Sequence, residues 1–87
     1  MALTIGYSKK FLKTFRRLER DLQDEILEKI ELLKDTKNHN KLRVHKLSGK
    51  LKSVMSFSVN YRVRITFTYV HKNTIALHTV GTHDEVY

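Results

Sequence analysis

The sequence predicts an α+β domain: two N-terminal helices packed on one face of a small, mainly antiparallel β-sheet. Three observations carry that prediction. Apolar residues recur at helical spacing from Phe11 to Leu33. From Met55 onward the period is two, as on a half-buried strand. Between the two regimes lies a polar stretch, residues 34–43 (KDTKNHNKLR), which reads as a loop. Helices followed by strands, with no βαβ alternation, imply helices on one sheet face.

Residues 2–6 (ALTIG) are too few for a helix and read as a short strand. Ser8 stands where an N-cap belongs, ahead of a stripe of Phe11, Phe15, Leu18 and Leu22. Asp21 is the expected cap of a second helix, with Asp24 and Glu25 in its first turn, where the helix dipole favours acids. Its stripe is Leu22, Ile26, Ile30 and Leu33. No Gly or Pro divides the two stripes, so one long helix is the alternative; two antiparallel helices bury both stripes better. In the second half Met55, Phe57, Val59 and Tyr61 alternate with Ser56, Ser58 and Asn60. Val63, Ile65, Phe67 and Tyr69 alternate with Arg62, Arg64, Thr66 and Thr68. Ile75 and Leu77 begin a further strand after a turn at residues 71–73. The apolar alternates are expected to face the helices. Ser56, Ser58, Arg62 and Arg64 are expected on an open polar face.

The length, 87 residues, fits one domain spanning residues 1–87. The chain has no Cys, which excludes disulfides and Cys-based zinc sites. With no Pro and three Gly, there is no Pro-rich linker and no glycine-rich phosphate loop. Residues 1–7 lack the features of a signal peptide, and no apolar run approaches the roughly 20 residues that span a bilayer. A cytoplasmic chain with no membrane partner is therefore expected. The formal charge is +8, and it is unevenly placed. Residues 9–20 hold six Lys and Arg against Glu19; residues 21–35 hold six acids against two lysines; residues 36–52 hold six bases and no acid. Two basic blocks around an acidic helix point to a polyanionic partner, either a nucleic acid or an acidic protein segment.

Five features carry potential chemistry: His45 beside Lys46, the basic residues Lys50 and Lys52, the pair Arg62 and Arg64, His83, and Tyr87. RNA is cut without a metal when the ribose 2′-hydroxyl attacks the adjacent phosphorus. A base takes the hydroxyl proton, an acid protonates the leaving 5′-oxygen, and a cation holds the charge that develops. Two imidazoles, which titrate near neutrality, and a permanently charged guanidinium supply those three roles. An aromatic side chain stacks on a base. Taken singly, each feature has an ordinary reading: a surface histidine, a solubilising arginine, a tyrosine packed over a sheet. The histidines are scattered, with no i, i+4 pair on a helix, so no metal site and no cofactor is expected.

Three segments in order resemble the RelE/ParE superfamily of bacterial and archaeal toxins. His45-Lys46-Leu47-Ser48-Gly49 is similar to the H-x-L-x-G segment that precedes the sheet in RelE-type and YafQ-type members. The run Val59–Phe67 resembles their strand ending in R-h-h-F/Y, where h is apolar, and 81–87 (GTHDEVY) resembles their G-x-H-x-E-h-F/Y close. The resemblance covers nearly the whole chain. It implies a toxin of a type II toxin–antitoxin system. Such a toxin is a metal-independent endoribonuclease that cleaves mRNA at the ribosome and is neutralised by a cognate antitoxin protein. By resemblance His45 is the general base, Arg64 the phosphate-binding cation, His83 the general acid, and Tyr87 the aromatic contact to the substrate. Lys46, Lys50, Lys52 and Arg62 would bind RNA. The chain departs from the pattern at Ser56 and Ser58, where RelE-type members carry lysines, and at Arg62, where the YafQ-type branch carries an Asp. Thr66 occupies a position that is usually apolar. The alternatives are a ParE-like toxin, which inhibits DNA gyrase without an acid–base pair, and a basic module that only binds RNA.

Overall fold

The computed structural model describes residues 2–47 and 53–82. Strand β1 (Thr4–Tyr7) leads into helix α1 (Lys9–Arg16) and helix α2 (Arg20–Leu33). A short 3₁₀ turn at Thr36–Asn38 precedes β2 (His45–Lys46), β3 (Met55–Ser58), β4 (Val63–His71) and β5 (Thr74–Thr82). The five strands form one sheet in the order β1-β5-β4-β3-β2. Only β1 and β5 run parallel; every other pair is antiparallel. No helix among the described residues is long and apolar enough to cross a membrane.

Ser8 caps α1 as expected: its hydroxyl accepts the Phe11 amide at 3.0 Å. The chain then breaks at residues 17–19 without Gly or Pro. Leu18 bends inward to half-burial, and the Gln23 side-chain amide donates to the Phe15 carbonyl at 2.8 Å. The Phe15 carbonyl also accepts the Leu18 amide at 3.1 Å, and the added Gln23 bond ties the two helices together. Helix α2 begins before the expected cap. Glu19 is its N-cap residue, with extended backbone and no side-chain cap bond, and Asp21 lies inside the first turn. The reason is that the Gln23 amide N–H bonds the Glu19 carbonyl at 3.0 Å, so the helical ladder starts there.

The core fills the space between helices and sheet. Phe11 from α1 and Ile26, Ile30 and Leu33 from α2 meet Phe57, Ile65, Phe67, Ile75, Leu77 and Val80 from the sheet, all buried. The Phe57 and Phe67 rings pack 5.9 Å apart. Three positions depart from simple alternation. Strand β3 ends at Ser58, so Tyr61 lies in the β3–β4 turn and is 86% exposed rather than facing the helices. Ser56, expected on an open face, is fully buried. Leu77 and Val80, three apart on one strand, are both buried because β5 carries a bulge. Thr66 pairs with Thr79, but Phe67 pairs with Leu77, leaving His78 as an extra residue.

Truncating a ring in this tight core costs about 3–5 kcal/mol, whereas an exposed turn side chain changes stability by about 0.5 kcal/mol at most. Phe57→Ala is therefore expected to lose most or all of the cooperative urea transition, and Tyr61→Ala to leave its midpoint in place.

Candidate functional site

None of the five strands contains an Asp or Glu. Every carboxylate of the described residues lies between Glu19 and Asp35, in and around α2. The sheet carries His45, Lys46, Arg64, His71 and His78 instead. Among the described residues the strands thus carry cations and no acid, so no described strand carboxylate repels an anion on the sheet face away from the helices.

His45 and Arg64 lie on that face. Across the strands His45 pairs with Ser56, and Ser56 with Thr66; one pair further along, Ser58 faces Arg64 and Arg64 faces Gly81. Cross-strand partners share a face, as do residues two apart. His45 and Arg64 are therefore two strands and two residues apart, about 12 Å between Cα atoms from standard sheet spacings. The exposed His45 ring bonds the Arg43 carbonyl through Nδ1 at 2.8 Å. A carbonyl only accepts, so Nδ1 carries the proton, and in the neutral ring Nε2 is the basic nitrogen.

Arg64 is aimed by its own turn. Its Nη1 donates to the Asn60 carbonyl at 2.5 Å and to the Val63 carbonyl at 3.3 Å. The remaining guanidinium N–H groups point no bond at another described residue. Asn60 is the junction behind this. Its side-chain oxygen accepts the Arg62 amide at 2.9 Å and the Val63 amide at 2.8 Å, closing the β3–β4 turn. Its Nδ2 donates to Glu25 Oε1 at 2.9 Å, anchoring the turn to α2. The one carboxylate near Arg64's turn is thus occupied by an amide.

Along β4 and β5 this face of the sheet is hydroxyl-rich. Thr66 and Thr79 share an Oγ1–Oγ1 hydrogen bond, and Thr68 Oγ1 bonds His78 Nε2 at 2.8 Å. Among the described residues no buried side-chain nitrogen or oxygen lacks a partner, and no group of three or more His, Asp or Glu sits where it could hold a metal.

No protein-family model matches the sequence, and no curated protein is significantly similar to it. Solved structures are similar in shape. The archaeal RelE–RelB complex from Pyrococcus horikoshii matches with a TM-score of 0.72 at 17% identity, over 94% of this chain and 96% of that one. YafQ from E. coli matches with a TM-score of 0.69 at 14% identity, over 98% of each chain. The YoeB–YefM complex from Staphylococcus aureus matches with a TM-score of 0.72 at 18% identity, over 95% of this chain and 99% of that one. The chain has the RelE fold.

The RelE fold brings some of the sequence-predicted residues together and separates others. His45 and Arg64 share a face, as expected. Lys46 is exposed on β2, opposite Met55, and so faces the other way from His45. Arg62 is not on a strand at all: it sits in the β3–β4 turn and lines a pocket with Leu18 and Leu22 at the helix side. Lys50, Lys52, His83 and Tyr87 lie outside the described residues. Of the histidines read as exposed, His71 is exposed, but His39 is half-buried and bonds the Leu33 carbonyl through Nε2 at 2.9 Å. Sequence reasoning missed Asn60, the Arg43 carbonyl and His78. The second apolar spacing, Leu77 to Val80, was the one signal for His78, because a strand cannot bury both without a bulge.

Losing a half-buried turn acceptor removes two hydrogen bonds, one exposed and one partly buried, at about 1 kcal/mol. Asn60→Ala is expected to destabilise by that amount in urea titration. Glu25→Gln keeps an oxygen for Nδ2 and is expected to cost less than half as much.

Proposed function

We propose that the chain is the toxin of a type II toxin–antitoxin system, a metal-independent endoribonuclease that cleaves mRNA at the ribosome. The observation that supports this best is that His45 and Arg64 share one sheet face whose described strands hold no carboxylate. RelE-fold structures are solved with RelB and with YefM, which supports a dedicated antitoxin partner here. The cytoplasm is the compartment of such a substrate.

In this reading His45 Nε2 accepts the 2′-hydroxyl proton. The 2′-oxygen forms a bond to phosphorus as the bond to the 5′-oxygen breaks. The remaining guanidinium N–H groups of Arg64 hold the phosphate oxygens as charge accumulates there, where such donors act most strongly. His83 gives its proton to the departing 5′-oxygen, and Tyr87 contacts the substrate base. Lys46, Lys50, Lys52 and Arg62 add cationic contacts to the RNA. The products are a 2′,3′-cyclic phosphate and a 5′-hydroxyl. A ParE-like action on gyrase needs neither His45 nor His83, so the same variants separate the two readings.

Induction of the chain without an antitoxin is expected to arrest growth with new ends inside translated messages. Intact mRNA with gyrase-dependent DNA breaks would replace this reading by the ParE-like one. Arg64→Ala removes charge stabilisation worth about 10²–10³-fold, and His45→Ala and His83→Ala remove acid–base help worth about 10²–10⁴-fold. Cleavage is expected to fall accordingly in each, with His71→Ala unchanged as the control. A fully active His83→Ala at equal soluble expression would transfer the acid role to another group.

A further inference from the structure

Positive charge extends from Arg64 to the turn before β2 and to α2. Lys29 from α2, Lys41 and Arg43 from the turn before β2, and Arg64 from β4 line one pocket of about 250 Å³. Ser58 and Tyr61 complete its wall. Among the described residues no carboxylate lines it. The nearest acids are committed or peripheral: Glu25 accepts from Asn60, and Glu28, 69% exposed, lies 3.4 Å from Lys29. Four formal positive charges converge on a space with Arg64 at one end.

The backbone holds this arrangement at a cost. Arg43 has φ 55, the sole non-glycine positive φ among the described residues. The left-handed conformation disfavours any residue with a Cβ. A glycine would suit the turn, yet the position carries an arginine beside the pocket. Tyr61 is 86% exposed at the rim and presents an aromatic surface to solvent.

We infer that this pocket is a second phosphate subsite for single-stranded RNA, taking the phosphodiester next to the one held by Arg64, with Tyr61 stacking on the intervening base. The inference rests on the RNA-cleavage reading for its ligand, and it adds Lys29, Lys41, Arg43 and Tyr61 to the binding surface. Strand phosphates are single negative charges met by fixed cations, and every base offers a π-face to an aromatic ring. An acidic protein segment would use the same cations but has no need of an exposed ring beside them.

The test is binding of a fluorescent 2′-O-methyl RNA oligonucleotide, which lacks the attacking hydroxyl and is not cut, to the full chain over a salt series. Lys41→Gln with Arg43→Gly is expected to weaken binding about tenfold and to lower the salt slope by about 0.7 for each phosphate that no longer meets a cation. Glycine is compatible with the Arg43 backbone, so the variant's thermal midpoint is expected to stay or rise, which separates weakened binding from impaired folding. Tyr61→Ala is expected to weaken binding without changing the salt slope, and Lys41→Arg to retain native affinity. Native affinity and slope in the double variant would overturn the inference. So would a variant that keeps RNA binding and loses only antitoxin binding, which would make the pocket a protein-binding surface. Pocket-dependent binding by a chain that produces no message cleavage in cells would uphold the subsite and overturn the nuclease reading.

Discussion

The pairing of β4 with β5 is the constraint on which the rest of the molecule hangs. These two nine-residue strands lie at the middle of the sheet, with β1 outside β5 and β3 outside β4. Helix α1 packs on β5, and Ser8 at its start is itself tied to that strand, its amide to the Leu77 carbonyl and its hydroxyl to the His78 carbonyl. The ladder is not regular. One extra residue at His78 turns Leu77 and Val80 inward together and sets His78 and Thr79 on the opposite face. Without that bulge either the core would lose an aliphatic side chain or the hydroxyl strip would lose its partner for Thr68. The same irregularity therefore serves packing on one side and polar satisfaction on the other.

Much of this architecture is legible in the sequence, and the failures have physical causes. Ser8 is readable as a cap because a hydroxyl at that position has one strong local use. The strands are readable because Phe57, Ile65 and Phe67 obey a period of two. The start of α2 misleads because Asp21 is as good a cap as any. The choice between Asp21 and Glu19 is made by Gln23, whose side chain reaches back to α1, a tertiary contact with no local signature. Tyr61 misleads because it continues the alternation past Ser58, while Asn60 closes the turn with its side-chain oxygen. Ser56 looks solvent-facing by its chemistry, but on β3, paired with His45 on one side and Thr66 on the other, it is fully buried. At the candidate site Arg64 and His45 are readable by motif. Their shared face follows from cross-strand register, which one strand's sequence does not reveal. Lys29 and Lys41 could not be linked to Arg64 at all, since helix, turn and strand bring them together from distant positions.

In a chain of net charge +8, the lack of acids on the described strands leaves the face with His45 and Arg64 usable by an anionic ligand. Among the described residues the acids are gathered in and around α2, where Glu31 bonds Lys34 at 2.6 Å and Asp24 approaches Arg20. Both pairs are exposed and contribute little to stability. Their value is in where the described acids are not: none is on a strand, and Glu25, beside the turn that aims Arg64, accepts from an uncharged amide. Hydroxyls fill the sheet surface instead. They satisfy one another without charge, so the field at that surface comes from the few cations placed there.

The parallel pairing of β1 with β5 has a consequence for synthesis. Thr4 pairs with Thr74, seventy positions later. The first strand to leave the ribosome therefore has no hydrogen-bonding partner until nearly all of the described chain has followed it. Closing that pair is a long-range event, and such events slow folding. During that interval α1 and α2 can form, but the sheet they must cover is incomplete, and the Ser8 bonds to residues 77 and 78 do not yet exist. A half-made chain consequently has helices without a finished sheet, and the edge that β1 closes is the last part of the described fold to form.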